Sequence, residues 1–273
     1  EIPKRDWSSD VCSSDLIALF TTYLTWQLTQ WGMPLWSAAL VGIALAVVLG
    51  MAIQTIVVRP LVQRSKLAVF VGFIGLFLGL NELAGLIWGG QPRPIPSIFP
   101  NAPSSYVDVL GVIVRWSAVG SVAVMLVLAL GLHALLQKTR IGLALRALVS
   151  NPESASLAGV SALRVQLFSW GLSGAVGAIA GVLVAGVSTS VSQGLMLEVF
   201  ISSAAAATLG GLDSLGGAVF GGLLIGVVEN LAADYQSEWI GQELRVLPAL
   251  VLMLVVLLIR PTGLFGLRKV ERV

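Results

Sequence analysis

The side chains able to do chemistry are few in this 273-residue chain. Asn81 and Glu82 sit part-way along an apolar run, Glu198 stands at the start of another, and Glu229 with Asn230 stands near the end of a third. A carboxylate at membrane depth is costly, so such residues usually face a bundle interior or water. Asn81 and Glu82 are therefore candidates for the wall or gate of a solute path. Glu198 and Glu229 read equally as interfacial residues solvated by water. His133 stands alone in an apolar run with no ligand partners, and reads as a packed or interfacial residue rather than a proton relay. No HExxH, no Ser-His-Asp constellation and no Cys/His cluster occurs. The sequence thus supplies no catalytic residue, no metal site and no cofactor site. Residues 210–217, GGLDSLGG, resemble a nucleotide-binding loop only superficially, because they lack its lysine and follow no strand. Any ATP site must lie on another chain.

Composition sets the class. Hydrophobic residues make up 56% and charged residues 11%, against roughly 25% charged in soluble domains. The formal charge is +2, from 16 Lys and Arg against 14 Asp and Glu. Such a chain cannot cover its surface with charge. A soluble globular protein, a disordered tail and a nucleic-acid binder with a basic face are excluded. The single cysteine, Cys12, excludes a disulfide framework. The expected fold is all-α, a polytopic bundle of transmembrane helices.

Residues 1–16, EIPKRDWSSDVCSSDL, break this pattern. They are polar and have no apolar region of the kind a signal peptide carries. Back-translation of residues 6–16 resembles a common sequencing-library adapter. We expect residues 1–16 to be an assembly artefact, with the first native span missing and Cys12 without chemistry. The remaining chain has 14 basic and 10 acidic residues, a charge of +4.

A membrane helix needs about 20 mostly apolar residues. Eight hydrophobic segments qualify or nearly so: 17–31, which is short, then 35–58, 67–88, 116–137, 165–187, 197–212, 215–232 and 245–259. If all cross, eleven of the fourteen basic residues fall on one side: Arg59, Arg64 and Lys66; Lys138, Arg140, Arg146 and Arg164; Arg260, Arg268, Lys269 and Arg272. The positive-inside rule puts that side and the C-terminus in the cytoplasm. A re-entrant pair around 210–217 gives the same sidedness afterwards. Residues 89–115, with five prolines between Pro92 and Pro103, read as an external loop.

The cytoplasmic segment 138–164 is longer and less polar than a mere connection requires. Leu143, Ala144, Ala147 and Leu148 recur at helical spacing, and Asn151-Pro152 opens a second short helix with proline at a permitted first-turn position. Two readings stay open: a helix docking into a partner, or an amphipathic helix resting on the membrane interface. Small residues mark the helix-packing faces. Gly171, Gly174, Gly177 and Gly181 lie in one span, and Gly217, Gly221, Gly222 and Gly226 form GxxxG pairs in another.

Four stretches then line up in order. They are RPLVQRSK at 59–66 with AVFVGFIGLFLGLNE after it, TRIG at 139–142 with LALRALVSNPESASLAGV, ATLGGLDSLGGAVFGGLLIG at 207–226, and RPTGLFG at 260–266. Together they resemble the permease subunits of bacterial branched-chain amino acid ABC importers, the LivH-type branch. The resemblance covers residues 17–273. It implies a non-catalytic membrane subunit working with ABC ATPase subunits, a second homologous permease subunit and a periplasmic solute-binding protein, in the lipid bilayer of the bacterial inner membrane, with no nucleic acid partner. It also implies that Arg146, Ala147, Asn151, Ala155 and Gly159 belong to the motif that docks in a cleft of the ATPase. Ser202, followed by Ser203, stands where many members carry a lysine, and these two join Asn81 and Glu82 as candidates for the solute path. The solute implied is a branched-chain amino acid. The alternatives are urea or short amides within the same family, or an ion-coupled secondary transporter using Glu82 and Glu229.

Overall fold

The computed structural model describes residues 7–62, 66–99, 106–109, 112–211, 214–235, 247–260 and 263–266. Residues 1–6 and the side chains of residues 7–16 lie outside that description, so the reading of residues 1–16, Cys12 included, falls outside it as well. The chain divides into two compact units, residues 1–196 and 197–273.

The first unit holds α1 (Trp7–Gln30), α2 (Leu35–Ile53), a π-helix (Gln54–Val58), α3 (Arg59–Val62), α4 (Lys66–Trp88), α5 (Trp116–Lys138), α6 (Arg140–Ser150), α7 (Pro152–Leu157) and α8 (Ala162–Ser188). Two strand pairs join them: β1 (Arg93–Pro94) with β4 (Ser190–Val191), and β2 (Tyr106–Val109) with β3 (Val112–Arg115), both antiparallel. The described residues of the proline-rich segment are thus non-helical, as its composition requires. The second unit takes most of α9 (Gln193–Gly210), with α10 (Leu215–Tyr235) and α11 (Leu247–Ile259).

Among the described residues, six helices are long and apolar enough to cross a membrane: 35–62, 71–88, 116–138, 162–188, 193–210 and 215–234. α11 is a shorter apolar helix. The all-α polytopic expectation holds. One boundary moves. The second span runs past residue 58 to Val62, because Pro60 is absorbed rather than obeyed as a stop. A proline ring clashes with the carbonyl four residues back. The chain widens into a π turn there, and Arg59 N–H donates to Gln54 O, five residues back.

α1 is the centre of the first unit. Ile17, Ala18, Leu19, Thr21, Thr22, Tyr23 and Thr25 are all buried. The three threonines satisfy themselves: Thr21 Oγ1 donates to Ile17 O (2.6 Å), Thr22 Oγ1 to Ala18 O (2.7 Å) and Thr25 Oγ1 to Thr21 O (2.8 Å). Returning each hydroxyl to its own helix lets polar residues sit in an apolar core. Against α1 and α2 lies the glycine face of α8. A Cβ added at Gly174 would stand 2.5 Å from Ala46 O of α2, and one at Gly181 would meet Thr22 Oγ1 and stand 3.1 Å from Ala18 O of α1. Gly171 faces Val47 and Met51, and Gly177 is buried. In return Gly50 of α2 receives the Trp170 carbonyl of α8. α5, by contrast, leaves most of its apolar side chains open, including Val122, Leu126, Val127 and Leu130.

In the second unit Ala205, Ala206, Leu209, Ile225 and Ala249 form the core, with Leu252, Met253, Val256 and Leu264 packed on it. The GxxxG expectation is half met. Gly217 lies against the Gly210 carbonyl, and Gly221 against Ala206 O and Gly210 N. Gly222 has only Ala206 Cβ near it, at 3.9 Å, and Gly226 has nothing within 4 Å. The reason is helical phase. Residue 222 is turned about 100° from 221, so the pair 222/226 lies on a neighbouring face. The RPTGLFG segment closes the end of α9: Leu264 N–H donates to Leu209 O (2.8 Å) and Phe265 N–H to Gly210 O (3.1 Å). These carbonyls end a helix and lack donors within it. Gly263 turns the chain there with φ +77, and a Cβ on it would stand 2.6 Å from Thr208 O.

The two glycine faces carry a direct test. Gly174→Val should destabilise the protein by about 1–3 kcal/mol through overpacking, read as a lower melting temperature in detergent. Gly226→Ala should leave that temperature unchanged or slightly higher.

Candidate functional site

Two places can do work. The first is the elbow made by α6 and α7. Thr139 ends α5 and caps α6, its Oγ1 accepting from Gly142 N (3.1 Å) while donating to Leu135 O (2.6 Å). Gly142 is buried where the two helices meet, and a Cβ there would overlap the Leu135 and Leu136 carbonyls. Asn151 caps α7 through its Oδ1, which accepts from Ser154 N (3.0 Å), and Pro152 takes the first-turn position expected of it. Gly159 ends the elbow with φ +84, a left-handed turn that glycine adopts without strain. Leu148, Ala155 and Val165 form a core that fixes the elbow to the start of α8, with Ala144, Leu145, Ala147 and Val160 around it.

This core separates the five docking candidates. Arg146, Asn151 and Gly159 are exposed, and Arg146 donates to Gln137 Oε1 (3.1 Å). Ala155 is buried and Ala147 half-buried, so both serve the joint with α8 rather than an open face. The residue that sequence reasoning missed is Leu157, 89% exposed at the tip among Ser154, Ser156, Ala158 and Gly159. Leu143 and Val149 are exposed as well. In a helix of six residues no periodicity distinguishes an outward leucine from an inward one.

The second place is polar and lies along the spans. Asn81 is half-buried on the face of α4 that carries Gly85 and Trp88, and its carbonyl accepts from Gln193 Nε2 (3.0 Å). Glu82 points elsewhere. It is exposed on a stripe with Val71, Ile74, Leu78 and Leu86. The structure therefore does not bring Asn81 and Glu82 to one surface; neighbours on a helix diverge by about 100°. In the second unit Ser202 Oγ donates to Glu229 Oε1 at 2.6 Å, joining α9 to α10. Glu229 is thus a partnered, half-buried carboxylate rather than a freely solvated one, while Glu198 and Ser203 are exposed. Among the described residues no three His, Cys, Asp or Glu side chains gather.

Comparison with known proteins bears on these features. Residues 13–259 match the family described as branched-chain amino acid transport system / permease component. The high-affinity branched-chain amino acid transport system permease protein BraD of Pseudomonas aeruginosa is 28% identical over 225 residues, 82% of this chain and 72% of that one. A probable branched-chain amino acid transport permease protein, LivH of Methanocaldococcus jannaschii, is 31% identical over 234 residues, 81% and 72% of the two chains. The L-arabinose transport system permease protein AraH of Escherichia coli is 37% identical over 102 residues, only 35% of this chain and 31% of that one. No solved structure matches.

Gly142→Ala tests the elbow's construction. Amide hydrogen exchange across residues 140–157 should rise in the variant, while exchange in the middle of α8 stays unchanged.

Proposed function

The chain belongs to the branched-chain amino acid transport system / permease component family, and from that premise we propose that it is the membrane subunit of an ATP-driven importer of branched-chain amino acids. Solute released by a periplasmic binding protein crosses the membrane through the pair formed by this subunit and a second permease, and ATPase subunits bound to the cytoplasmic face drive alternating access. The basic ends of the spans and the C-terminus lie in the cytoplasm of a cell whose inner membrane the protein crosses.

One observation carries the mechanism. The elbow is packed onto α8 through Leu148, Ala155 and Val165, and α8 is packed onto α1 and α2 through backbone contacts at Gly174 and Gly181. A push at Leu157 is then passed to the core of the first unit as a rigid-body displacement, since close-packed interiors do not deform continuously. Leu157, Arg146 and Gly159 are the outward groups that an ATPase cleft would hold. Ala147 and Ala155 transmit the motion. Without such a joint, ATP hydrolysis below the membrane would have nothing to turn.

The relatives support the choice of substrate. Those that span most of this chain are named for branched-chain amino acids, and the L-arabinose permease matches only about a third of it. Reconstituting the chain in vesicles with an ATPase, a second permease and a binding protein of the same transport system tests the proposal. Labelled leucine should enter only with ATP, and urea and L-arabinose should not. Uptake of urea or L-arabinose alone would keep the mechanism and change the solute. Leucine uptake that follows an ion gradient and ignores ATP would sink the proposal. Leu157→Ser should cut ATP-driven uptake at least about tenfold, the scale of one lost apolar anchor at an interface, with the permease still present in the membrane at its usual level.

A further inference from the structure

Arg93 stands at the outer ends of α1, α4 and α8, in the short strand β1. Its Nη2 donates to the carbonyl of Trp88 (2.8 Å), the last residue of α4. Its guanidinium carbon lies 5.3 Å from the ring centroid of Trp26. Both contacts offer only partial negative charge. Among the described side chains no carboxylate pairs with Arg93, and its buried Nε–H has no acceptor. Below it Tyr23 is fully buried on α1, and its hydroxyl also has no partner among the described residues. The Tyr23 ring stacks on Trp88, the residue whose carbonyl Arg93 holds, with centroids 5.3 Å apart and planes 12° apart. Phe20 meets Trp88 edge-on at 5.0 Å.

Buried polar groups in folded proteins are nearly always hydrogen-bonded. Here two orphans lie in one aromatic surround, and both can donate. What satisfies both is an acceptor, and beside a permanent cation an anionic acceptor is favoured. We propose that Arg93 and Tyr23 form a carboxylate-binding site at the outer end of the first unit, walled by Trp26 and Trp88, which takes the carboxylate of the amino acid solute. The assignment rests on the importer reading given above and adds to it the atoms that recognise the solute. Guanidinium and phenol hold the carboxylate, and the aromatic walls accept an aliphatic side chain. A neutral sugar or urea offers no charge to Arg93.

The site is closed in this structure. Ile95, the residue after β1, and Val191, the β4 residue paired with Arg93, belong to the same buried cluster as Tyr23 and Trp88. That roof is held by the two-residue ladder, by Ile95 N–H to Thr189 O (3.3 Å) and by Trp26 Nε1–H to Pro94 O (3.0 Å). Arg93 belongs to this roof and is itself tied to the Trp88 carbonyl, so a solute enters when β4 and Ile95 part from the cluster while Arg93 stays at the end of α4.

The test uses the complete transporter, purified in detergent, and labelled leucine as the probe. Unlabelled leucine and 4-methylpentanoate, which keeps the carboxylate and lacks the ammonium, should displace it. Leucinamide, which lacks the carboxylate, should do so at least about tenfold more weakly, the scale of one charge-assisted hydrogen bond. Arg93→Gln should weaken leucine binding about tenfold or more and abolish the discrimination against leucinamide, and Arg93→Lys should restore part of both. Tyr23→Phe keeps the ring stack and should weaken binding a few-fold. Size-exclusion profiles confirm that each variant still assembles. A complex that takes up leucine with ATP, yet shows unchanged affinity and selectivity in Arg93→Gln and Tyr23→Phe, overturns the site and leaves the importer reading intact. Absence of ATP-driven uptake by the unsubstituted complex overturns that reading instead, and the leucinamide comparison still decides the site.

Discussion

Gly174 and Gly181 allow α8 to reach the backbones of α2 and α1, and the architecture of the first unit depends on that approach. Lipid is as apolar as leucine, so no hydrophobic force drives membrane helices together. What remains is van der Waals contact, which is worth much only at short range and over a large surface. Residues without side chains supply that surface. The same solution recurs in the second unit, where Gly221 admits the Ala206 carbonyl and Gly217 the Gly210 carbonyl. α5 has no such face and buries little, as expected of a helix whose neighbours are lipid or another subunit.

Rigid contact of this kind also gives the elbow its meaning. A docking segment joined by a loose linker would absorb motion. Here Thr139 and Asn151 cap the two short helices, Gly142 seats one on the end of α5, and Leu148, Ala155 and Val165 bind them to α8. The path from the tip of the elbow to the centre of the unit is a chain of packed side chains and backbone contacts. At the opposite end of α8 the chain passes through the left-handed Thr189 into β4, which pairs with β1 beside Arg93. One helix therefore links the surface that an ATPase would hold to the roof over the outer polar cluster.

Much of this was legible in the sequence. The spans follow from runs of about 20 apolar residues, and Asn151-Pro152 announces a helix start on its own. The glycine face of α8 follows from spacing at three and four residues. Other features were hidden for physical reasons. Pro60 reads as a stop, but a π turn accommodates it. The pairs 217/221 and 222/226 look alike in sequence and differ only in which neighbour they meet. Leu157 and Leu148 are the same residue type, one exposed and one buried, and only the fold of the elbow decides between them. Arg93 is a single cation in a proline-rich loop. Its surround brings together Tyr23, Trp26 and Trp88 with a strand nearly a hundred residues later, and no local pattern signals a contact that distant.

A docking elbow and an elbow resting on the lipid surface differ in what touches Leu157. A photo-reactive benzophenone side chain placed at position 157 in the assembled complex tells them apart most directly. Cross-linking to the ATPase subunit is expected, with a yield that changes between the nucleotide-free and ATP-bound states. Cross-linking to lipid alone, identical in both states, would contradict docking.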